Sequence, residues 1–436
     1  MRLPRTESLH GLFGERQFRV LLASRLTSQT ADGIFQASLY GALLFNPDHQ
    51  TRPAQIAGGL ALLVLPYSLL GPFVGIFLDR WRRQRILSRG AAVHAALAAL
   101  SALLLLTAGS TSVGFEAAAF SAIAVNRFYL AAQSASLPSV VGSDRLVLGN
   151  AFSTTAGTVV TIIGGGIGVG ARDVVGAGDH GSALVAALSA LGYLVAGAVA
   201  LKLPVDALGP HEQPGEALVK QLAEVASGLV AGARHLWSRR EAAFALAVLC
   251  GQRALFGAWT IMLLLLYRYS FHSEGLLRAG LSGAGQAATA GGIGLVVAAA
   301  ITPRVTAIIG RRAWIVATTL LPAASELAFG LPFSLALFTV SAVVLGFAMQ
   351  GTKICVDTTV QATVDDDYLG RAFAIYDAAG NICFAAAAVV SAYLMPDDGR
   401  SVAAVLAMSA AYLLLAAGYT ATAGSVLAEQ PTEQIA

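Results

Sequence analysis

Charge is scarce in this chain of 436 residues. Only 12% are Asp, Glu, Lys or Arg, against about 25% in an ordinary soluble domain, and lysine occurs only at Lys202, Lys220 and Lys353. Cysteine is as rare. Cys250, Cys355 and Cys383 lie in apolar runs without Cys-x-x-Cys spacing, which excludes a disulfide framework or zinc knuckle and leaves small core residues. The chain has no metal-spaced cluster of His, Asp and Glu, no Gly-x-Ser-x-Gly elbow and no phosphate loop, so hydrolase chemistry and ATP-driven work lack their usual residues. Gly164, Gly165, Gly166, Gly168 and Gly170 are glycine-rich, yet they sit inside an apolar run with no Lys-Ser/Thr after them; small residues there let helices approach closely. No cofactor, metal or nucleic-acid partner is expected, and the chain is read as a monomer. No cleavable leader is expected either. Arg2, Arg5, Arg16 and Arg19 precede an apolar run from Val20 to Phe45, too long for a signal-peptide core of ~7–15 residues, so the first apolar segment is expected to be retained.

What fills the chain is hydrophobic. Apolar residues make up 56% and the mean hydropathy is +0.68, which places the protein in a lipid bilayer. Windows of about 20 apolar residues, the length that crosses ~30 Å of hydrocarbon, centre near Ile34, Leu65, Leu97, Ile123, Ile162, Leu191, Leu255, Gly294, Leu321, Val343, Ala386 and Leu413. The expected fold is therefore all-α, with twelve transmembrane helices. Loops after even-numbered spans carry Arg80, Arg82, Arg83, Arg85, Arg89, Arg145, Lys202 through Arg240, Arg304, Arg311, Arg312 and Arg371; those after odd-numbered spans carry only Arg52, Arg172, Arg268, Arg278 and Arg400. By the positive-inside rule both termini face the cytoplasm. The preference for arginine over lysine, with abundant alanine, suggests a GC-rich bacterial genome and hence a bacterial inner membrane.

The chain repeats at half length. Leu148-Gly149-Asn150-Ala151-Phe152 opens the fifth span as Leu369-Gly370-Arg371-Ala372-Phe373 opens the eleventh, and Gly310-Arg311-Arg312 falls where Arg82-Arg83 fall in the first half. Residues 1–205 and 241–436 are expected to form two six-helix bundles related by pseudo-symmetry around a central cavity. Between them, residues 206–240 hold Gly209-Pro210 and Pro214-Gly215, then Leu218, Leu222, Val225, Leu229 and Leu236 at helical spacing. This predicts an amphipathic cytoplasmic helix that tethers the bundles or lies on the inner leaflet.

One loop is unusually dense in charge: Gly75-Ile-Phe-Leu-Asp79-Arg80-Trp-Arg82-Arg83-Gln-Arg85-Ile-Leu87. A carboxylate facing several guanidiniums at helix ends is able to lock or release neighbouring helices; a basic membrane anchor would explain the arginines but not Gly75 and Asp79. The loop resembles the signature between spans two and three of the major facilitator superfamily, matching at Gly75, Asp79, Arg80, Arg83 and Leu87, with Arg82 in place of a glycine and Gln84 in place of a basic residue. The resemblance implies transport by alternating access, with Gly75, Asp79, Arg80 and Arg83 as a cytoplasmic gate that meets the start of the eleventh span near Gly370. It also implies a glycine-rich fifth span packed on a helix of the other half. Shorter stretches, Ser136-Leu-Pro138, Leu148-Gly-Asn150-Ala151 and Arg371 through Asn381, resemble the exporter branch of macrolide-efflux and enterobactin-export proteins.

Ionisable residues inside spans are costly and so are candidates for function. Arg25, Gln29, Asp32, Gln36 and Tyr40 form one stripe on the first span; Glu116, Asn126, Arg127 and Gln133 mark the fourth; Gln252 and Arg253 the seventh; Gln350, Lys353, Asp357 and Gln361 the tenth. In the superfamily those four helices line the cavity, which would make Arg25, Gln29, Gln36, Asn126, Arg127, Arg253, Gln350, Lys353 and Asp357 substrate contacts. Two readings stay open: Lys353 and Asp357, four apart, as a local pair, and Arg25 as a residue reaching for the surface. His94 and Glu326, on more peripheral helices, are expected to be satisfied polar contacts. Asp32 is the first candidate for proton coupling, with Asp377 and Glu116 after it. The expected function is exchange of protons for a small amphipathic molecule; the deep arginines leave open an anionic substrate such as a siderophore, organic acid or lysophospholipid, and a non-transporting sensor is a third possibility.

Overall fold

A computed structural model describes residues 12–46, 53–70, 73, 77–78, 80–141, 146–209 and 218–428. Thirteen helices are α1 (Arg16–Leu43), α2 (Pro53–Leu70), α3 (Arg83–Thr107), α4 (Val113–Ser136), α5 (Leu146–Val175), α6 (Asp179–Ala200), α7 (Leu218–Ser238), α8 (Arg240–Leu265), α9 (Gly280–Ile309), α10 (Arg311–Ser325), α11 (Leu335–Thr363), α12 (Asp366–Leu394) and α13 (Val402–Ala428). Two of them run on into a π-helical turn, α8 through Leu266–Ser270 and α10 through Glu326–Gly330. All but α7 are membrane spans, the all-α architecture that hydrocarbon demands of a backbone with no water to bond. Nine described helices are long and apolar enough to qualify by composition alone. The other three spans are α1, α2 and α4; α1 and α4 carry the polar residues of the first half, and α2 is interrupted by Pro66. Local signals fix the ends: Ser112 accepts from Phe115 N at the start of α4, Pro53 opens α2 where its missing N–H costs nothing, and Gly310, at φ +83°, turns the chain from α9 into α10.

The chain divides into two compact units, one of Met1–Gln50 with Leu69–Glu224 and one of Thr51–Ser68 with Val225–Ala436. The second unit thus includes most of α2, and the last of its boundaries falls inside α7, because the second half of that helix packs on the start of α12. A Cβ at Gly232 would lie 2.9 Å from Arg371 Cβ, and His235 stacks on Tyr368 with ring centroids 4.4 Å apart. In the first unit α1 packs on α5 and α6, and α3 on α4 and α6. In the second, α8 packs on α12 and α13, and α10 on α11 and α13. Each pairing in the first unit recurs seven labels later, so the internal repeat is visible in packing as well as in sequence.

Glycine sets the tightest contact of the first unit. A Cβ at Gly33 would lie 2.0 Å from Thr161 O, one at Gly164 2.1 Å from Thr30 O, and one at Gly168 2.7 Å from Ala37 Cβ. The glycine-rich fifth span thus packs on α1 of its own unit. Gly257 repeats the device in the second unit, with a Cβ there 2.2 Å from Phe384 O of α12. One end of the first unit is closed by Arg172, buried in the last turn of α5, which donates to the carbonyls of Gly41 (3.1 Å), Phe45 (3.2 Å) and Ala177 and to Ser182 Oγ (3.2 Å).

Candidate functional site

The polar stripe of α1 turns into the first unit. Asp32 is 4% exposed and accepts a 2.7 Å hydrogen bond from the Tyr193 hydroxyl of α6; Asn126 of α4 is a second hydrogen-bonding neighbour. Tyr193 is held from its other face by His94 of α3, stacked with ring centroids 3.8 Å apart, and Phe35 meets both rings edge-on. The carboxylate therefore rests on α4 and α6 inside its own bundle. One to two turns away, Ser24 bonds Tyr129 (3.0 Å), and Gln133 donates to Ser28 (3.4 Å). Arg25 is buried rather than extended to a surface, and its Nε donates to Gln29 Oε1 at 3.2 Å. Gln29 has room because Gly157 of α5 has no side chain to meet its amide. Gln36 is half-buried on the same helix, and Arg127 is half-buried beside Asn126 on α4. Glu116 is not among these residues: it occupies the first turn of α4, ten residues and about 15 Å along the helix from Asn126, where an acid suits the helix dipole.

In the second unit Lys353, Asp357 and Tyr376 form a closed triad. Lys353 Nζ donates to Asp357 Oδ2 at 2.8 Å and to the Tyr376 hydroxyl at 2.6 Å, and that hydroxyl donates to Asp357 Oδ1. The triad spans α11 and α12, so the pair along one helix also ties two helices together. Deeper, Gln252 of α8 is buried and donates to Thr319 (2.7 Å) and Thr352 (2.9 Å), joining α8, α10 and α11. Arg253, next in sequence, is half-buried with its stem 3.5 Å from the position of a Cβ at Gly380, and no ion pair to it is seen among the described residues. Asp377 is exposed on α12, and Gln350 is half-buried on α11.

Of the proposed gate, Gly75 and Asp79 lie outside the described residues. Arg83 donates from Nη1 to the carbonyls of Ala135 (2.8 Å) and Leu208 (3.2 Å), while its backbone N–H reaches Gly209 O at 2.9 Å. It thus fastens the start of α3 to the end of α4 and to the segment that follows α6. Arg82 pairs with Asp206, and Arg80 is part-buried. Gln84, which stands where the signature has a basic residue, is 4% exposed; a glutamine fits that burial as a cation would not.

Three tyrosines escaped the reading of the sequence as site residues: Tyr129, Tyr193 and Tyr376. Their signal is an aromatic hydroxyl within an apolar span, which needs a hydrogen-bond partner when buried. Glu326 also departs from expectation. The sequence predicts a satisfied contact, yet the residue is fully buried and neither carboxyl oxygen has a hydrogen-bond partner among the described residues.

Two mycobacterial proteins described as uncharacterised MFS-type transporters, from Mycobacterium bovis and Mycobacterium tuberculosis, are each 34% identical to the chain over 394 residues, covering 90% of it and 88% of their own length. No family model matches the chain. Among solved structures, the POT family transporter PepTSo superposes with a TM-score of 0.68 at 11% identity, covering 95% of this chain and 99% of its own. The nucleoside transporter NupG gives 0.60 at 16%, covering 94% and 98%. A bacterial homologue of the human lysosomal transporter Spinster, inward-facing and unoccupied, gives 0.61 at 14%, covering 96% and 99%. At such identities the likeness is one of fold.

Proposed function

Because the chain belongs to the major facilitator superfamily, we propose that it is a secondary active transporter that works by alternating access and exports a small amphipathic molecule in exchange for protons. The observation that carries this reading is Asp32. A carboxylate withdrawn from water is costly when ionised and unpaired, and the Tyr193 hydroxyl that donates to it supports the charged form. Protonation removes the need for that donor, so the contact between α1 and α6 is altered by one proton. This is the kind of local change that biases a bistable helix packing. Export, the gate role of Gly75, Asp79, Arg80 and Arg83, and a bacterial inner-membrane location with both termini inside rest on the sequence signatures and on the arginine bias. Asp377 and Glu116 stand behind Asp32 as coupling acids, Asp377 because it is exposed on α12 and Glu116 because it lies at a helix end.

The test uses purified protein in vesicles with an imposed pH gradient. Asp32→Asn keeps the volume and the partners of a neutral acid. It is expected to insert at normal yield, to retain substrate-for-substrate exchange and to lose proton-driven accumulation, with binding losing its pH dependence between about pH 5 and 8. Accumulation at the wild-type rate would remove Asp32 from the coupling role.

One observation favours a second reading, in which the substrate is anionic. Arg253 is a half-buried guanidinium with no acid seen to neutralise it among the described residues, and a guanidinium so placed is suited to grip a carboxylate or phosphate. A panel of cationic and anionic ligands read against Arg253→Gln separates the two. Loss of anion binding alone supports this reading, whereas unchanged anion binding sinks it.

A further inference from the structure

The second unit holds a carboxylic acid that the mechanism above does not use. Glu326 is 0% exposed, and among the described residues neither Oε1 nor Oε2 has a hydrogen-bond partner. Among the described residues no cation of the surrounding elements pairs with it; Lys353 of α11 is held by Asp357 and Tyr376. Packed against it are α11 and α13. On α11, Ser341 bonds Ser325, the residue before Glu326, at 3.1 Å. On α13, Ser409 is spent on the carbonyl of Ala323 at 3.0 Å, and Tyr412, itself fully buried, is close enough to feel the Glu326 charge. On α10 the nearest basic residues, Arg311 and Arg312, lie about four helical turns away at the start of the helix. An ionised carboxylate in such a place would be a buried charge with neither counter-ion nor donor, a state that proteins avoid by neutralising the group.

The backbone at this point is irregular. Glu326 opens a π-helical turn that ends at Gly330, and Pro322 lies one turn earlier within α10. A proline leaves a carbonyl without its helical N–H, and a π-turn is a local excess of one residue that a helix is able to shed or move. Acid and joint coincide in one span. The first unit offers a counterpart: His94 of α3, the helix that matches α10, stacks on Tyr193 of the last helix of its bundle, as Glu326 lies near Tyr412 on the last helix of the second.

We propose that Glu326 is a proton-binding site in the second unit, holding a proton while α10 keeps its π-turn and giving it up when that turn rearranges and opens the carboxyl to water or to a donor. The proton leaves as a simple acid dissociation, Oε–H to carboxylate, with no other reactant. The inference does not rest on Asp32 being the coupling acid, and the experiment keeps the two apart.

Infrared difference spectra of the full-length protein reconstituted in phosphatidylcholine and phosphatidylglycerol vesicles, recorded through a pH titration, read the C=O stretch of protonated carboxyl groups directly. Wild type is expected to show a high-frequency band of a carboxylic acid free of hydrogen bonds at neutral pH, lost in both Glu326→Gln and Glu326→Met and kept in Asp32→Asn. Hydrogen–deuterium exchange over the α10 peptide, corrected for the intrinsic base-catalysed rate, is expected to lose protection on alkalinisation in wild type and not in Glu326→Met. The proposal is overturned if wild type lacks the band, if either Glu326 variant keeps it, or if α10 exchange responds to pH equally with and without the acid.

Discussion

Lys353 and Asp357 stand one turn apart on α11, and their spacing left two roles open, a local pair or two substrate contacts. The Tyr376 hydroxyl decides what each substitution leaves behind, since it bonds both partners from α12. Removing Lys353 alone strands a part-buried carboxylate, and removing Asp357 alone strands the ammonium, at a cost of roughly 1–3 kcal/mol each. Lys353→Met and Asp357→Leu are therefore expected to lower the thermal unfolding temperature in detergent individually, and the double variant is expected to recover most of the loss. Additive losses in the double variant would mean that the two side chains act separately. That a charge lay here was legible in the sequence from the rarity of lysine. The identity of the third member was not, because Tyr376 is 23 residues from Lys353 and only the packing of α12 on α11 brings them together. The same holds for Asp32: its stripe on α1 was plain from three-and-four spacing, while Tyr193 is 161 residues distant and lies in a run whose pattern announces only a span. Glu326 shows the reverse limit. Burial without a partner is a property of the neighbours, which no local pattern records.

At the scale of helices, spacing and composition placed every span centre inside a described helix, because hydrocarbon leaves the backbone few alternatives. Composition did not say which face of the glycine-rich α5 meets what. Gly164 approaches Thr30 so closely that a methyl group would lie 2.1 Å from its carbonyl oxygen, whereas nothing lies within 4 Å of the position of a methyl at Gly166. Two substitutions two residues apart should therefore differ sharply. Gly164→Ala must push α1 and α5 apart and is expected to cost about 1–3 kcal/mol by overpacking, seen as lower yield of folded protein and a lower unfolding temperature. Gly166→Ala is expected to change neither. Equal tolerance of both would show that the α1–α5 contact is looser than the geometry requires. The loop after α2 carries a similar lesson: its arginines announced a cytoplasmic cluster, yet Arg83 binds the carbonyls of Ala135 and Leu208, a fastening role that the signature alone does not reveal.

For the whole molecule, the arginine asymmetry predicts which ends of the helices face the cytoplasm, and the structure supplies the positions at which to test it. A cysteine must be accessible before its labelling says anything about sides. Gln84, at the centre of the charged loop, is only 4% exposed and would resist reagents from either side, whereas Arg85 beside it is exposed. Val113, at the opposite end of the adjoining helix pair, is 80% exposed, and Trp237 near the end of α7 is 82% exposed. With Cys250, Cys355 and Cys383 replaced by alanine, a membrane-impermeant maleimide is expected to label Arg85→Cys and Trp237→Cys only from the cytoplasmic side, and Val113→Cys only from outside in intact cells. Arg85 and Trp237 lie at helix ends separated by an even number of spans, so they must behave alike whatever the orientation; a difference between them would break the span count rather than the sidedness. Labelling of Val113→Cys from the cytoplasm together with the other two from outside would invert the topology, and with it the assignment of the Asp79 loop to a cytoplasmic gate.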